Sequence, residues 1–348
     1  MERGMKRIEI ESSNPSASPI ERCKLEKVPA STDPHFGCQP EARPMREYIE
    51  KGVVVIDKPA GPTAHEVVSW VKGILKVNKA AHTGTLDPKV TGVLPILLGI
   101  ATKLAGVFVS DKEYVCLMRL HGDVEEDKLR EVVREFEGKI YQRPPLKSAV
   151  KRRIRVRTVH YIEIKEVEGR EVLMKVGCEA GTYIRMLCHH IGLALGVGAH
   201  MAQLRRTKSL PFDEAALTKL QDLKDAYVFY EAGEETPLRE LIMPMEYALG
   251  HLHSLRCIIV KDTAVDALCH GADLAAPGIS RIEEGINIGN PVVMYTYKGE
   301  AVCAGRALMS SEEMLRAEEG ICVNTDRVFM KPGTYMRAWK SEKSSRGG

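Results

Sequence analysis

The stretch AHTGTLDPKVTGVLPILLG, residues 81–99, carries a single acid, Asp87, among small turn residues. Pro88 biases Asp87 toward an extended backbone, and Gly84 permits a tight approach just before it. A stiff loop of this kind can present a carboxylate as a reactive group. Asp-Pro is also a common turn dipeptide, so local backbone duty accounts for the same residues. A second stretch, CEAGTYIRMLCHHIGLALG (178–196), places Arg185 in the first turn of a helix that follows Gly181-Thr182. An arginine there gains nothing from the helix dipole. It has an anion to meet, either a ligand or a surface glutamate. Tyr114 opens a strand after SDKE. Its ring can pack with the hydroxyl at the rim, or stack on a nucleobase.

A fourth signal is charge. From Lys139 to Arg157 eight Lys/Arg occur with no acid, around the stiff Pro144-Pro145 pair. Alternation puts Arg153, Arg155 and Arg157 on one strand face. Charge runs often mark a solvated face. Eight like charges without an acid nevertheless repel unless anions answer them, which favours a nucleic acid. Residues 331–348 add five Lys/Arg against one Glu. On a chain of formal net charge +3, such local clusters suggest a shaped polyanion site rather than bulk stickiness.

The elements that must position these residues follow from periodicity. Residues 51–56 form a short buried strand that stops at Pro59-Ala60-Gly61-Pro62. A helix then starts at Thr63, whose spacing from Glu66 is that of a capping box, with Val67, Val68, Val71, Ile74 and Leu75 at helical intervals. The run 93–98 contains Pro95 between Gly92 and Gly99 and reads as a strand. Helix is expected over 101–109, strand over 114–120, helix over 127–136, a β-hairpin over 154–165 and 171–178, and helix over 184–195. Residues 211–250 read as mostly helical. From Arg256 short β-like pieces alternate with glycine turns, the grammar of a small barrel of about 85 residues.

Composition bounds the rest. The 348 residues, 44% hydrophobic and 28% charged, suit two domains with real cores and a flexible end. The longest apolar runs fall far short of the ~20 residues of a membrane helix. MERGMKRIEIESS carries no apolar signal segment, so a cytoplasmic location without membrane association is expected. The nine cysteines include no CxxC pair, and reduced thiols are expected rather than disulfides or zinc. His189 and His190 are adjacent and diverge on a helix, so no metal is expected there. Ser148 and Cys188 read as structural. No GxxxxGK[ST], GxGxxG, HExxH or GxSxG occurs, which removes the usual support for ATP, nicotinamide, zinc-hydrolase and serine-hydrolase chemistry. Residues 1–45 are rich in Ser, Pro and Glu and read as flexible or as lying across another surface.

Four segments together resemble the ordered motifs of the TruB-type pseudouridine synthases: IDKPAGPTAHEVVSWVK (56–72), HTGTLDPKVTGVLPILLGIATK (82–103), KEYVCLMRLHGDV (112–124) and GTYIRMLCHHIGLALGVGAHMAQLRRT (181–207). YQRPPLKSAVKRRIRVRTV and the barrel near Arg256 resemble the archaeal dyskerin-type branch, the catalytic subunits of H/ACA guide-RNA particles. The resemblance covers residues 50–340. It departs from the family at Ala64, where Ser is usual, at Thr83, which varies, and at Leu210, where Gly is frequent.

The resemblance implies an α+β fold. A pseudouridine synthase catalytic domain (51–252) has a central mixed, mostly antiparallel sheet flanked by helices. A PUA β-barrel (253–338) follows, with an extension (1–50) before and a basic tail (339–348) after. It implies catalytic roles for Asp87, Tyr114 and Arg185, substrate-RNA contacts at Lys58, His82, Leu204, Arg153 and Arg155, and guide-RNA contacts of the barrel at Gly271, Ala272 and Gly278. It implies no cofactor and no metal, since the isomerisation of uridine involves no redox change. The implied partners are an H/ACA guide RNA, a substrate RNA, a small Nop-type zinc protein, a Gar-type protein and a kink-turn binder. Three rival readings are a stand-alone synthase acting on tRNA uridine 55, a non-catalytic RNA-binding scaffold, and an RNA methyltransferase with a similar barrel. The methyltransferase lacks its Gly-rich βα unit here. The scaffold leaves Asp87, Tyr114 and Arg185 as coincidence.

Overall fold

The computed structural model describes residues 19–106, 110–144, 153–252 and 254–337. The first residues of the expected extension, the basic residues Lys147, Lys151 and Arg152, Ser148, the end of the 101–109 helix and the 339–348 tail lie outside them. The chain clusters into two compact units. One holds Val54–Leu97 and Leu104–Leu241. The other holds Leu98–Lys103, the chain from Ile242 onward and the N-terminal segment up to Val53.

The first unit is built on one mixed sheet. Its strands are β1 (Gly52–Lys58, from Val54), β2 (Thr91–Leu98), β3 (Lys112–Leu120), β4 (Gly138–Gln142), β5 (Arg155–Glu168), β6 (Glu171–Cys178) and β7 (Ala199–Ser209). Their order is β1-β2-β7-β3-β6-β5-β4. Most pairs are antiparallel, and β2 and β7 run parallel. Helix α1 (Ala64–Ile74) starts with the expected capping box: Thr63 Oγ1 accepts from Glu66 N, and Glu66 bonds back to Thr63 N. Helices α2 (Glu126–Arg134), α3 (Ile184–Ala194) and α4 (Leu220–Glu231) also belong to it. Val93 to Leu98 are fully buried, as a strand covered on both faces requires.

Two elements depart from the periodicity. The helix expected at 101–109 is a 3-10 segment over Gly99–Leu104. The connector is short, and a 3-10 turn closes a short connector with i→i+3 bonds. Gly99 sits at φ +49°, and a Cβ there would fall 1.9 Å from the Glu50 carboxylate, so only glycine fits. The other departure is β7, which periodicity does not announce. Its buried residues include Arg206, Thr207 and Ser209. A strand whose covered face is polar shows no apolar alternation.

The second unit is a barrel-like sheet. Strands β8 (Arg256–Val260), β9 (Ile279–Ile282), β10 (Pro291–Tyr295), β11 (Ala301–Ala307) and β12 (Ile321–Val328) lie in the order β9-β8-β10-β11-β12. Helix α5 (Asp262–Cys269) packs its Val265 and Leu268 into the core with Ile258, Ile282, Val302 and Val323. Of the two readings for the extension, residues 19–44 fit the second and lie across the barrel. Leu25–Glu26 adds a strand beside β9. Arg22 donates to Gly250 O, Leu255 O and both oxygens of Glu283. Lys27 Nζ reaches the carbonyls of Met314 and Ala317 at the end of a short helix.

This unit also claims residues on both sides of the 50/51 and 252/253 boundaries. Met243–Pro244 pairs with Gly52 and Val53. Arg43 and Glu246 form a two-point ion pair at 2.9 and 2.6 Å, and both are almost fully buried. Glu246 accepts a further bond from Ala301 N. All nine cysteines are free thiols. Among the described residues no helix is long and apolar enough to cross a membrane.

Removing Glu246 takes the two-point carboxylate partner from a buried guanidinium. Glu246→Ala should lower unfolding free energy by about 3–5 kcal/mol, read as a shift in the urea midpoint of the full chain. A change below 1 kcal/mol would mean that water reaches Arg43.

Candidate active site

Asp87 lies in the turn before β2, and two sets of bonds fix it. The backbone is held from below by Lys58, the last residue of β1. Its ammonium donates to Pro59 O (2.9 Å), Pro88 O (3.0 Å) and Val90 O (2.9 Å). The turn closes on itself through Val90 N to Asp87 O, and Pro88 O accepts from Gly61 N. Leu86 is buried and anchors the loop on the other side. Burial pulls the Lys58 amine below its usual range, and the Asp87 charge partly restores it. Lys58 is closed to solvent with its donors directed at carbonyls. It therefore does not suit a place among RNA-contacting residues; it is an anchor of the Asp87 loop.

The carboxylate itself meets Arg185. The guanidinium donates to Asp87 Oδ2, and both side chains are about half exposed. Arg185 is the second residue of α3, and the start of that helix explains its aim. Gly181 takes φ +82° and breaks β6. Tyr183, the N-cap, makes no side-chain cap. Instead the buried Gln142 of β4 accepts from Tyr183 N (2.9 Å) and donates to Tyr183 O (3.1 Å). An amide from the edge of the sheet thus clamps the first turn of the helix. Arg185 finds the anion that its unfavourable helix position asked for.

Tyr114 lies on β3, opposite Val176 of β6 and Arg206 of β7. It is 9% exposed. The Arg206 side chain belongs to its direct cross-strand partner. Burial pushes the phenol pKa up, and the Arg206 charge opposes that shift. The Asp87 charge also reaches it, so the two residues share one electrostatic neighbourhood. Next to them the Lys112 amine is buried with Ser110 O and Oγ as acceptors. Burial and Arg206 push its pKa down to about 7.

His82 precedes the same loop. Burial, His65 and Arg206 pull its pKa below the usual range, toward the neutral ring. The His65 and His82 rings are 4.9 Å apart. Leu204, on β7 opposite Cys116, is partly exposed. Arg205 beside it is fixed by Asp57 and Glu214.

The basic strand divides. Arg157 bonds Val156 O and Glu179, so the solvated-face reading accounts for it. Arg153 is exposed and precedes β5; Arg155 opens β5 opposite Gln142. In the barrel unit, Gly271 and Ala272 are exposed, and Gly271 takes φ +87° with open space at its Cβ direction. Asp273 and Thr325 tie this loop to β12. Gly278 differs. A Cβ there would meet Ala264 at 2.9 Å and Leu274 at 3.1 Å, which makes it a packing glycine. Sequence reasoning missed Gln142 and Arg206. Gln142 carries no signal, because an amide clamp across 41 residues has no spacing rule. Arg206 could have been found once β7 was paired with β3.

Family matches follow the chain in order. Residues 25–68 match the DKCLD (NUC011) domain, and residues 72–184 the N-terminal domain of TruB family pseudouridylate synthases. Residues 185–250 match the tRNA pseudouridylate synthase B C-terminal domain, and residues 257–329 the PUA domain. A probable tRNA pseudouridine synthase B of Methanopyrus kandleri is 59% identical over 321 residues, 92% of this chain and 94% of that one. Its counterpart in Methanosarcina acetivorans is 55% identical over 338 residues, 97% and 99% of the two chains. Among solved structures, a chain of a Cbf5-Nop10-Gar1 complex is similar with TM-score 0.81 and 53% identity over 91% of this chain and 97% of that one. A chain of an H/ACA RNP bound to a substrate RNA containing 2′-deoxyuridine gives TM-score 0.83 and 51% identity, covering 90% and 96%.

The Lys58 anchor makes a prediction that needs no substrate. Lys58→Met should speed amide exchange at Val90 and Gly61, whose acceptors are in this turn, by at least about tenfold. Exchange in β3 and β6 should not change. Equal protection at Val90 in both proteins would remove Lys58 as the loop anchor.

Proposed function

The chain belongs to the TruB family of pseudouridine synthases, and we propose that it converts uridines of RNA to pseudouridine at Asp87, with a guide RNA selecting the sites. The observation that carries the chemistry is the Asp87–Arg185 contact on a loop fixed by Lys58. The isomerisation breaks the N1–C1′ bond, turns the base and forms C1′–C5. The C5 proton leaves and N1 is free to gain one, so no electrons are exchanged with a cofactor. Asp87 serves either as the nucleophile at C1′ or as a base at the ribose. Both routes use an ionised carboxylate with a fixed direction, and an adjacent guanidinium supplies both conditions.

The target base must leave its stack, which costs a few kcal/mol. Stacking on the Tyr114 ring returns about 1–3 kcal/mol. His82 and Leu204 line the approach of the substrate strand, and Arg153 and Arg155 meet phosphates. Gly271 and Ala272 form the guide-facing loop of the barrel, in the cytoplasm.

Guidance rests on the solved relatives, which come from complexes with Nop10 and Gar1 and from an H/ACA particle with substrate RNA. We assign this chain the same setting, with a Nop-type zinc protein, a Gar-type protein and a kink-turn binder as partners. The names of the curated relatives favour a second reading, direct action on tRNA. Reconstitution separates the two. Product that requires guide RNA and partners supports the guided form, and equal product from bare tRNA supports the second.

Asp87→Asn should retain RNA affinity within about threefold and lose pseudouridine formation by at least about a thousandfold. Substantial product from this variant would sink the assignment of Asp87. Charge reversal at Arg153 and Arg155 should weaken RNA binding and reduce the slope of log affinity against log salt by about 2. An unchanged slope would mean that this edge does not meet phosphate.

A further inference from the structure

Glu113 is a buried carboxylate for which the reaction scheme above has no use. It precedes Tyr114 on β3 and is 2% exposed. Strand alternation turns it to the face opposite the Tyr114 ring. Both of its oxygens are engaged. Thr207 Oγ1 donates to Oε1 (2.8 Å), and the Tyr161 hydroxyl donates to Oε2. The ammonium groups of Lys175 and Lys208 lie 3.0 and 3.7 Å from Oε2. Tyr161 reaches the carboxylate across Gly177, which pairs with both residues and has no side chain to intervene. Burial opposes the charge, but the bonds from Tyr161, Lys175 and Thr207 outweigh it and hold the carboxyl below its usual range.

Thr207 owes its place to an irregularity of the sheet. Along the β3–β7 ladder Glu113 lies opposite Lys208, and Tyr114 lies opposite Arg206. Thr207 is therefore an extra residue in β7, a β-bulge. The bulge changes which way β7 faces. In a regular strand residues 206 and 208 would share a face. Here Lys208 turns to Glu113. Arg206, on the Tyr114 side, turns to the Asp87 loop and donates to Gly84 O (3.2 Å) and Val93 O (2.7 Å). Sliding the ladder back into regular register would carry one of the two to the wrong face. A bulge locally disrupts its ladder, because the extra residue is unpaired. What holds this one is the Thr207 hydroxyl on an ionised carboxylate, a charge-assisted bond.

We propose that Thr207 and Glu113 are positioning residues of the isomerisation: their hydrogen bond fixes the β7 bulge, and the bulge keeps Arg206 facing the carbonyls of the Asp87 loop. Both residues lie on the face away from Tyr114. They act through the register of the strand that underlies the loop. Removing the hydroxyl frees the bulge to migrate along β7, and the Asp87 turn then loses the brace at Gly84 and Val93. This assignment rests on pseudouridine synthesis at Asp87.

The test compares Thr207→Val and Thr207→Ser in the reconstituted guided complex. Single-turnover rate and RNA affinity are read separately. Valine keeps the shape and the β-branching, and it removes the donor. Serine keeps the donor and removes a methyl group. Thr207→Val should slow the chemical step by at least about tenfold while RNA affinity stays within about threefold, and Thr207→Ser should stay within about threefold in both. If Thr207 only fills space, the order reverses and serine is the slower variant. That order, a valine variant as fast as the unsubstituted chain, or a loss confined to RNA affinity would overturn the proposal. A second measurement needs no variant to fold. The Thr207 hydroxyl proton of the full chain should exchange with water slowly enough to give its own resonance, and rapid exchange would overturn the contact. Guide-dependent product from the unsubstituted chain is the control. Its absence defeats the function reading, and the hydroxyl resonance still decides the Thr207–Glu113 bond.

Discussion

A buried ammonium holds the Asp87 loop. Lys58 Nζ, closed to solvent, bonds three backbone carbonyls, two of which belong to the residues just after Asp87. Desolvating an ammonium is unfavourable, and burial lowers this one's affinity for its proton. Three carbonyl acceptors offset much of that. What the arrangement gains is a turn that cannot drift, and the Asp87 carboxylate is directed by that turn. Arg185 then acts on a group whose backbone is already placed.

The rest of the sheet unit can be understood as support for this one loop. Helix α3 aims Arg185 because Gln142 clamps Tyr183. Strand β7 brings the Arg206 guanidinium onto the carbonyls of Gly84 and Val93. Each support is a polar bond inside a covered layer, where an unpaired group is expensive and a paired one is specific. That is why buried polar residues of β7 meet polar partners: Thr207 donates to the buried Glu113 of β3 and Arg206 to the carbonyl of Val93 in β2. The exposed Asp87–Arg185 contact contributes little to stability by itself, and its value is in direction.

Much of this was legible in the chain. The capping box at Thr63, the Gly181 break before Arg185, the β5–β6 hairpin and the switch to a barrel after Arg256 rest on local rules, and local rules survive folding. Asp87 was ambiguous on local grounds because a turn residue and a presented carboxylate need the same Gly and Pro flanks. The structure shows that both hold together. What stayed hidden was non-local. β7 reads as polar because its buried partners come from distant strands. The burial of Lys58 depends on carbonyls some 30 residues away. Gly278 resembles a loop glycine in sequence, but its neighbours Ala264 and Leu274 make it a packing glycine.

The central claim is that the direction given to Asp87 by Arg185 is what makes the loop reactive. Its most direct measure is the single-turnover rate of pseudouridine formation by Arg185→Gln and Arg185→Lys, with RNA affinity determined in parallel. Glutamine keeps a donor on a shorter arm and removes the charge, while lysine keeps the charge with poorer geometry. The account predicts a rate loss of at least about a hundredfold for glutamine and a smaller one for lysine, with affinity within about threefold in both. A glutamine variant as fast as the unsubstituted chain would contradict it.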